Sequence, residues 1–187
     1  MIKTVGDLNF YLHEDRKANG ITNNMQYLLR LFLGAENARV VHYLAALRKQ
    51  EYFIANKNRS LFLKMLFYYW KFRTTRLASK YRISIKPCTV GYGLRIPHIQ
   101  GGIILTSLSI GNYCVVNSGV VVGVKNSIEY APTIGDKVVL NVGSKVIGNV
   151  YIGNNVEVAA NAVVVKDVPA NAIVGGVPAR IIKLKQW

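Results

Sequence analysis

The stretch TIGDKVVLNVGSKVIGNVYIGNNVEVAANAVVV, residues 133–165, carries an aliphatic residue at every sixth position. The same spacing extends back to residue 104, and its members are Ile104, Ile110, Val116, Val122, Ile128, Ile134, Leu140, Val146, Ile152, Val158 and Val164. A period of six fits neither an amphipathic α-helix nor a simple strand. It is typical of a solenoid whose short strands each send one aliphatic side chain inward. The spacing therefore predicts a triangular coil of stacked strands.

A second series follows the first by four positions and contains small or aliphatic residues: Cys114, Val120, Val138, Ser144, Val150, Val156, Ala162 and Val168. We expect these side chains to face the same narrow interior. With three hexads in each turn and strands stacked ~4.8 Å apart, residues 90–169 would form roughly four to five turns. The series stops at Val168 and Pro169, so residues 170–185 are expected to leave the coil.

The regular spacing is interrupted twice. Ile96 is followed by the next member, Ile104, only after eight residues, so the phase slips by two within residues 98–102. The pair Gly101-Gly102 can accommodate a bulge that turns His98 out of the wall. The second interruption, residues 124–133, is predicted to be a loop. Binding residues concentrate at such irregular segments, so both interruptions are candidate sites.

Residues 1–82 lack the period of six and are predicted to be helical. One helix is expected after the cap residues Asn23 and Asn24, a second over residues 40–47, and a third from about Ser60. We therefore divide the chain into a helical region, residues 1–82, and a solenoid domain with a C-terminal tail, residues 83–187.

The chain is strongly basic, with 24 Lys and Arg against 9 Asp and Glu and a net charge of +15. Residues 52–82 contain eight of these bases and no acid. Such a surface attracts phosphates, which a nucleotide cofactor, anionic lipids, a lipid-linked sugar or nucleic acid could provide. In the third helix Phe62, Met65, Leu66 and Tyr69 share one face, and Arg73, Arg76 and Lys80 continue as a basic stripe. Two interpretations stay open for that face: packing on the protein itself, which is the commoner case, and contact with a membrane surface.

The two cysteines, Cys88 and Cys114, have no metal-like spacing, and Cys114 belongs to the inward series. Reduced structural thiols are therefore expected, and no metal site. Residues 1–10 contain Asp7 and Asn9 where a signal peptide needs an apolar run. These features predict a cytoplasmic protein, and peripheral contact with the inner face of a membrane stays open.

Four motifs resemble one known family. They are Ile110-Gly-Asn-Tyr, Pro132-Thr-Ile-Gly-Asp, Val164-Val-Lys-Asp-Val-Pro and Val174-Gly-Gly-Val-Pro-Ala-Arg180. Through them residues 83–184 resemble the hexapeptide-repeat acyltransferases, the left-handed parallel β-helix superfamily, and most of all its serine acetyltransferase-like branch, which includes capsular and exopolysaccharide O-acetyltransferases. The resemblance implies a mainly β fold with a helical N-terminal region. It also implies a homotrimer that holds acetyl-CoA in the groove between neighbouring coils.

Acetyl transfer to a hydroxyl needs a base that takes the hydroxyl proton, and imidazole suits this role near neutral pH. Of the three histidines, His13 and His42 fall in the helical region, whereas His98 falls at the phase slip. The resemblance also places a catalytic histidine at His98. We expect direct transfer without an acetyl-enzyme. A backbone carbonyl or Ser84 could orient the imidazole.

For acetyl-CoA, the resemblance implies contacts with the backbone near Gly123, Val142 and Ala160. It also implies contacts between the CoA phosphates and three basic side chains, Lys166, Arg180 and Lys183.

The acceptor is where the chain departs from serine acetyltransferases. Their acids before and below the catalytic histidine, and their Arg-His pair, are replaced here by Pro97, Ser84 and Tyr130-Ala131. Because a zwitterionic acceptor needs charged partners, we predict a sugar or polysaccharide hydroxyl instead, of the capsule or exopolysaccharide type. That acceptor is a small molecule or oligosaccharide, or a lipid-linked sugar. Groups that could orient it are Ser84, Tyr92, Asn117, Ser118, Glu129 and Tyr130.

Two alternatives are kept. The first is a serine O-acetyltransferase. The second is a solenoid scaffold without catalytic activity that binds anionic lipid or nucleic acid, although such a scaffold has no use for His98 or for the C-terminal motif. In the main interpretation nucleic acid is not a partner.

Overall fold

The computed structural model describes residues 2–125 and 127–185, except for the side chain of Ile128. In these residues the chain forms four α-helices and then a coil of short strands. The helices are α1 (Val5–Ala18), α2 (Asn24–Phe32), α3 (Glu36–Asn56) and α4 (Leu61–Tyr81). Their change to strands between Tyr81 and Ile83 coincides with the predicted boundary, although the division into two domains stays a prediction.

Side-chain caps set the start of three helices. Asn23 caps α2 and Ser60 caps α4 through bonds from the backbone N–H of Gln26 and Leu63, as their positions in the sequence predict. Helix α1 had no separate prediction. It begins with a capping box, in which Thr4 and Asp7 each accept a bond from the other's backbone N–H.

Thirteen strands are described after residue 82. They are β1 (Ile83–Ile85), β2 (Ile103–Leu105), β3 (Ser109–Ile110), β4 (Val115–Val116), β5 (Val121–Gly123), β6 (Thr133–Ile134), β7 (Val139–Leu140), β8 (Lys145–Ile147), β9 (Tyr151–Ile152), β10 (Glu157–Val158), β11 (Val163–Val164), β12 (Ala172–Gly176) and β13 (Ala179–Leu184). The predicted loop, residues 124–133, contains a 3₁₀ turn at Ile128–Tyr130 and ends one residue earlier than predicted, because β6 begins at Thr133.

The strands build three parallel walls, which confirms the triangular coil. Wall A has the order β1-β2-β5-β8-β11, wall B has β3-β6-β9, and wall C has β4-β7-β10-β12. Strand β13 adds to β12 in antiparallel fashion. Five rungs are therefore stacked in wall A, and the chain passes from A to B to C in each turn.

The inward series are buried as predicted, with one correction. From Ile110 to Val164 the described six-spaced side chains are buried, and so is the whole second series. Ile104 is the exception, because its side chain is 47% exposed whereas Ile103 and Leu105 are buried. The pairing of Leu105 with Val122 shows why. Leu105, and not Ile104, therefore points inward. The insertion between Ile96 and Leu105 has three residues, and the spacing from Leu105 to Ile110 is one residue shorter than six.

The C-terminal segment is a second correction. Residues 172–176 do not leave the coil but form its last rung, in which Val174 pairs with Val158 and is buried. Departure occurs only afterwards, when the chain reverses into β13.

A buried polar cluster joins the helices to the first turn of the coil. Arg48 of α3 is fully buried and donates to Asp15 at 2.9 Å, to Glu51 at 3.0 Å and to the carbonyl oxygens of Val90 and Gly91. Burial opposes the charge of Arg48, but the two carboxylates outweigh it and raise the pKa of the guanidinium. The first turn of the coil has no preceding turn that could bond to these carbonyl oxygens. The helical region provides the hydrogen bonds instead.

Asn19 extends the same joint. Its amide donates to the carbonyl oxygen of Leu94 at 2.8 Å and accepts from the N–H of Ile96 at 3.0 Å, as a neighbouring strand would do. Buried side chains of α3, among them Tyr43, Leu44 and Leu47, belong to the same hydrophobic core as the coil. The helical region and the first turn are thus packed as one unit.

Candidate active site

His98 lies at one edge of the coil, which we call the C–A corner. This corner is where the chain passes from wall C to wall A, and it comprises residues 97–102, 117–119, 141–143 and 159–161. Backbone bonds connect these segments: Gly119 donates to Gly102 at 2.7 Å, Gly143 to Ser118 at 2.9 Å, and Asn161 to Val142 at 2.9 Å. The corner is therefore a continuous ladder with His98 at its first rung.

The bulge turns His98 outward, as the phase slip predicts. Its side chain is 67% exposed. The inserted residues are accommodated by Gly101 and Gly102, whose φ angles of 103° and 77° lie in the region that glycine tolerates. The imidazole is thus accessible and is not sealed in the core.

Glu36, at the start of α3, holds His98. Its Oε2 lies 3.0 Å from Nδ1 of the imidazole. A carboxylate oxygen only accepts, so Nδ1 carries a proton in this contact and Nε2 is left to accept another. Neither of the two orienting groups considered from sequence makes this contact, and Glu36 was not predicted. It lies 62 residues from His98 in the chain.

A row of unpaired donors runs up the same corner. Asn117 and Asn141 donate their backbone N–H to Leu140 and Val158. In the part of the chain that the structure describes, the N–H groups of Ser118, Val142 and Ala160 have no intramolecular acceptor. One such donor therefore recurs on three successive rungs, ~4.8 Å apart, which suits a ligand with several amide carbonyls.

A groove of about 480 Å³ opens beside this corner, between wall A and the C-terminal half of α4. Gly101, Gly102 and Gly119 form its corner side, and Ser84 and Ile104 form part of its floor. Among the described residues that line it, Arg82 alone carries a charge. The groove thus combines apolar wall surface with one cation near the bulge of His98.

The predicted cofactor positions fall on two corners. Val142 and Ala160 are on the C–A corner, and Arg180 of β13 continues it because it pairs with Gly175, next to Ala159. The other edge of wall A is the A–B corner (residues 106–108, 124–125, 127–132, 148–150 and 165–167). Lys166 lies in this corner, and Gly123, the last residue of β5, adjoins it. Lys183 pairs with Ile173 on wall C. In one chain these positions do not form a single site.

The predicted acceptor residues are also divided. Ser84 lines the groove, and Asn117 and Ser118 lie on the C–A corner. Glu129 and Tyr130 are exposed in the loop of the A–B corner. Tyr92 lies where wall B passes to wall C and packs edge-on against Phe10, Tyr11 and Tyr113. Within one chain Tyr92 is therefore part of an aromatic cluster and does not adjoin His98.

The thiols are not placed for nucleophilic catalysis. Burial raises the pKa of Cys114 to about 11, and burial followed by the charge of Glu51 raises the pKa of Cys88. Within residues 2–125 and 127–185 no group of three or more His, Cys, Asp or Glu side chains could hold a metal ion.

Comparison with known proteins identifies the repeat. The family model for the bacterial transferase hexapeptide, described as six repeats, matches residues 131–166. The serine acetyltransferase of Synechococcus elongatus is 40% identical over 95 residues, which are 50% of this chain and 39% of that protein. The serine acetyltransferase of Buchnera aphidicola is 30% identical over 182 residues, which are 95% of this chain and 60% of that protein.

Solved structures agree over almost the whole chain. The serine acetyltransferase of Neisseria gonorrhoeae superposes with a TM-score of 0.70 at 25% identity, over 97% of this chain and 67% of that one. A serine acetyltransferase in complex with cysteine gives a TM-score of 0.73 at 23% identity, over 97% of this chain and 68% of that one.

The coil and these matches define a hexapeptide-repeat acyltransferase fold, the left-handed parallel β-helix. The chain is similar to members of this superfamily, and among them to serine acetyltransferases. It spans 39% and 60% of the length of the two curated relatives named above.

The predicted sugar or polysaccharide acceptor is wrong. The relatives described above are serine acetyltransferases, and they favour the alternative acceptor, serine. The prediction relied on acids missing from the coil at Pro97 and Ser84 and on an Arg-His pair replaced by Tyr130-Ala131. It overlooked that a helix could deliver a carboxylate to His98, as Glu36 does.

Proposed function

We propose that this protein transfers the acetyl group of acetyl-CoA to the hydroxyl of L-serine. The observation that carries the proposal is the accessible imidazole of His98, held at Nδ1 by Glu36 on a corner lined with free backbone donors. Serine as the acceptor is supported by the similarity of the chain to serine acetyltransferases.

His98 acts as the general base. With Nδ1 donating to Glu36, Nε2 accepts the proton of the serine hydroxyl as its oxygen attacks the thioester carbonyl. The bond from carbon to sulfur then breaks, and the imidazolium returns the proton to the leaving thiolate. Glu36 is a positioning residue, because it fixes the tautomer and stabilises the imidazolium that forms. The transfer is direct and needs no acetyl-enzyme.

Two charged side chains suit a zwitterionic acceptor. Arg82 lines the groove and can pair with the serine carboxylate, and Glu36 is the carboxylate nearest to the imidazole and favours an ammonium beside it. Ser84, Asn117 and Ser118 add neutral hydrogen-bonding groups at the same corner. In this proposal Glu36 takes the place of the acids that the coil lacks, and Arg82 takes the place of the missing Arg-His pair.

Acetyl-CoA fits the row of free donors. The N–H groups of Val142 and Ala160 are spaced for the amides of a pantetheine arm, and Arg180 at the end of the same corner suits the CoA phosphates. Gly123, Lys166 and Lys183 remain proposed contacts. Since Lys166 lies in the A–B corner and Gly123 adjoins it, they join this site only if a second protomer supplies that corner.

We further propose a homotrimer in which the A–B corner of one protomer faces the C–A corner of the next. Exposed apolar side chains at the A–B corner, Leu108, Tyr130 and Val165, favour such a contact. The loop with Glu129 and Tyr130 then reaches the neighbour's acceptor site. We place the trimer in the cytoplasm, with its basic helices near the inner face of a membrane.

The release of thiol from acetyl-CoA tests the acceptor. Purified protein is given L-serine or, in separate reactions, a panel of sugars, nucleotide sugars and oligosaccharides, and the product is weighed by mass spectrometry. We expect L-serine to accelerate thiol release and to gain one acetyl group, and the sugars to leave the rate at its hydrolytic background. Acetylation of a sugar with no acceleration by serine would refute the proposal.

A further inference from the structure

Helix α4 has two apolar faces, and one of them is uncovered. Its inner face packs against α3 and β1 through Leu77 and Tyr81, which are buried. On the opposite side lies a set that we call the α4 stripe: Leu61, Phe62, Met65, Tyr68, Tyr69 and Phe72. Each of these six side chains is 50–75% exposed. At about 100° per residue they fall within one arc of roughly 120°.

The α4 stripe does not contribute to the protein's own core. Four side chains were expected to pack on the protein as the commoner case. Phe62, Met65 and Tyr69 point away from α3 and the coil, and Leu66 is half-buried. Six large apolar side chains that lie exposed next to one another mark a contact site.

Basic side chains surround the α4 stripe. Lys64 and Lys71 flank it on one side and Arg73 on the other, while Arg76 and Lys80 continue along its line toward the end of the helix. The guanidinium of Arg76 lies 5.5 Å from the ring centre of Phe72, so cation and aromatic ring form one surface. Residues 52–82 contain no acid that could neutralise this charge.

Helix α2 repeats the arrangement on a smaller scale. Its outward face carries large apolar residues that are more than half exposed: Met25, Leu28, Leu29, Phe32 and Leu33. The helix has no acid in its first turn, and Arg30 lies in its last turn. Both helices pack on α3 and leave an apolar face outside.

We propose that the α4 stripe and its basic rim lie on the surface of an anionic lipid bilayer, with the aromatic and aliphatic side chains at the level of the headgroups. Charge selects this occupant over a second copy of the chain. Two copies joined through this surface would bring their basic rims together, because residues 52–82 hold eight bases and no acid, whereas anionic headgroups attract the rim. The inference extends the proposed location at a membrane and does not depend on the acceptor.

The helix lies on the bilayer and does not cross it. Among the described residues no helix is long and apolar enough to span a membrane. The 21 residues of α4 include five bases, which suits a helix that lies at the headgroups.

Co-sedimentation with vesicles tests the inference. One set of vesicles is pure phosphatidylcholine, and the other contains roughly one third phosphatidylglycerol. We expect the whole protein to bind the anionic vesicles at least about tenfold more tightly, and to lose that preference at high salt. The double substitution Phe62→Ser with Phe72→Ser should weaken binding at least about tenfold. The control Ile182→Ser removes an equally exposed apolar side chain on β13 and should bind like the wild type.

Substitutions that reverse the charge of the basic rim provide a second test of vesicle binding. Lys64→Glu with Lys71→Glu should abolish the preference for anionic vesicles, while Lys17→Glu with Lys145→Glu, the same change in net charge away from α4, should retain most of it. Unchanged binding by both α4 variants would overturn the inference. So would a lower oligomeric mass for the Phe62→Ser, Phe72→Ser variant in sedimentation, because a second copy would then cover the stripe. Thiol release with serine is measured alongside, so a failure of the acceptor proposal appears separately.

Discussion

The contact between Glu36 and His98 joins two parts of the chain that differ in structure. Glu36 occupies the first turn of α3, and His98 occupies a bulge in the coil, with 3.0 Å between Oε2 and Nδ1. The carboxylate can hold the imidazole only while α3 is docked on the first turn. The proposed catalysis at His98 would therefore depend on the helical region.

Replacing the carboxylate tests this dependence. We expect Glu36→Gln to lower kcat at least about tenfold with little change in the KM for acetyl-CoA, because the amide neither fixes the tautomer nor stabilises the imidazolium. Nitrogen NMR of the imidazole should show the proton of His98 no longer confined to Nδ1.

Glu14→Gln is the matched control. Glu14 accepts from the hydroxyl of Tyr113 at 2.9 Å on another part of the surface, so its loss should change neither kcat nor the His98 spectrum. If Glu36→Gln retained both the wild-type rate and the wild-type tautomer, Glu36 would have no role in positioning.

At this scale the sequence predicts the base but not its partner. His98 is proposed as the base because the six-residue spacing fails beside it, and that spacing can be read from the local sequence. The contact of Glu36 arises from the packing of α3 and has no local pattern. Ser84, which the coil itself would suggest as a partner, lies in the groove instead.

Helix α3 is the element that connects the two regions. Arg48 in its middle holds two carboxylates and two carbonyl oxygens of the first turn. Removing one member of a buried ion cluster leaves the others charged and without water.

We expect Arg48→Met to lower the free energy of unfolding by about 3–5 kcal/mol, because Asp15 and Glu51 would be left buried and unpaired. Chemical denaturation followed by circular dichroism measures the loss. The exposed base Arg59 provides the comparison, and Arg59→Met should cost less than about 0.5 kcal/mol. Equal stability of the two variants would show that the cluster does not hold the joint.

His42 makes the stability of α3 and α4 depend on pH. Its Nε2 lies 3.2 Å from the guanidinium of Arg73, which only donates, and its Nδ1 lies 3.2 Å from the hydroxyl of Tyr81. Burial, and then the charge of Arg73, lower the pKa of His42 below its usual 6.5. The folded state therefore favours the neutral ring.

Since the unfolded chain binds this proton more readily, the free energy of unfolding should be level above pH 6.5 and fall as the pH drops below it. His42→Gln should flatten that part of the pH profile, and His13→Gln, at an exposed position on α1, should not. A profile that His42→Gln leaves unchanged would assign the pH dependence to other groups.

The strands follow from the sequence more completely than their register. Alternation of buried and exposed side chains fixes the walls wherever the count of six is unbroken. Near the bulge it fails, because Ile103, Ile104 and Leu105 are all aliphatic and only pairing with β5 selects Leu105 for the interior. Similarly, the apolar residues of α4 could be assigned to one face, but only packing on α3 shows which face stays outside.

For the whole molecule, the division of the proposed acetyl-CoA contacts between two corners requires a neighbour. We expect sedimentation to give a species of three times the chain mass of 20.8 kDa. Leu108→Asp with Val165→Asp, which places charge on the A–B corner, should produce monomers that release little thiol. Ile182→Asp on β13 should leave the mass unchanged. A wild-type monomer with full activity would refute the shared site.

The acceptor is the property that sequence patterns predicted least well. Missing acids and a missing Arg-His pair suggested a neutral acceptor, because only residues of the coil were compared. Folding brings Glu36 to the site and lines the groove with Arg82, so the charge of a site belongs to the assembled molecule. The fold, in contrast, is predicted well from the sequence, because each repeat pairs with the repeats of the adjacent turns.

The most direct test of the central claim compares the wild type with His98→Asn in thiol release from acetyl-CoA with L-serine. Loss of the base should lower kcat/KM at least about a hundredfold, while calorimetry shows CoA binding unchanged. Asparagine keeps a side chain of similar polarity at the exposed bulge, so the coil should stay folded. Wild-type turnover by His98→Asn would contradict the account.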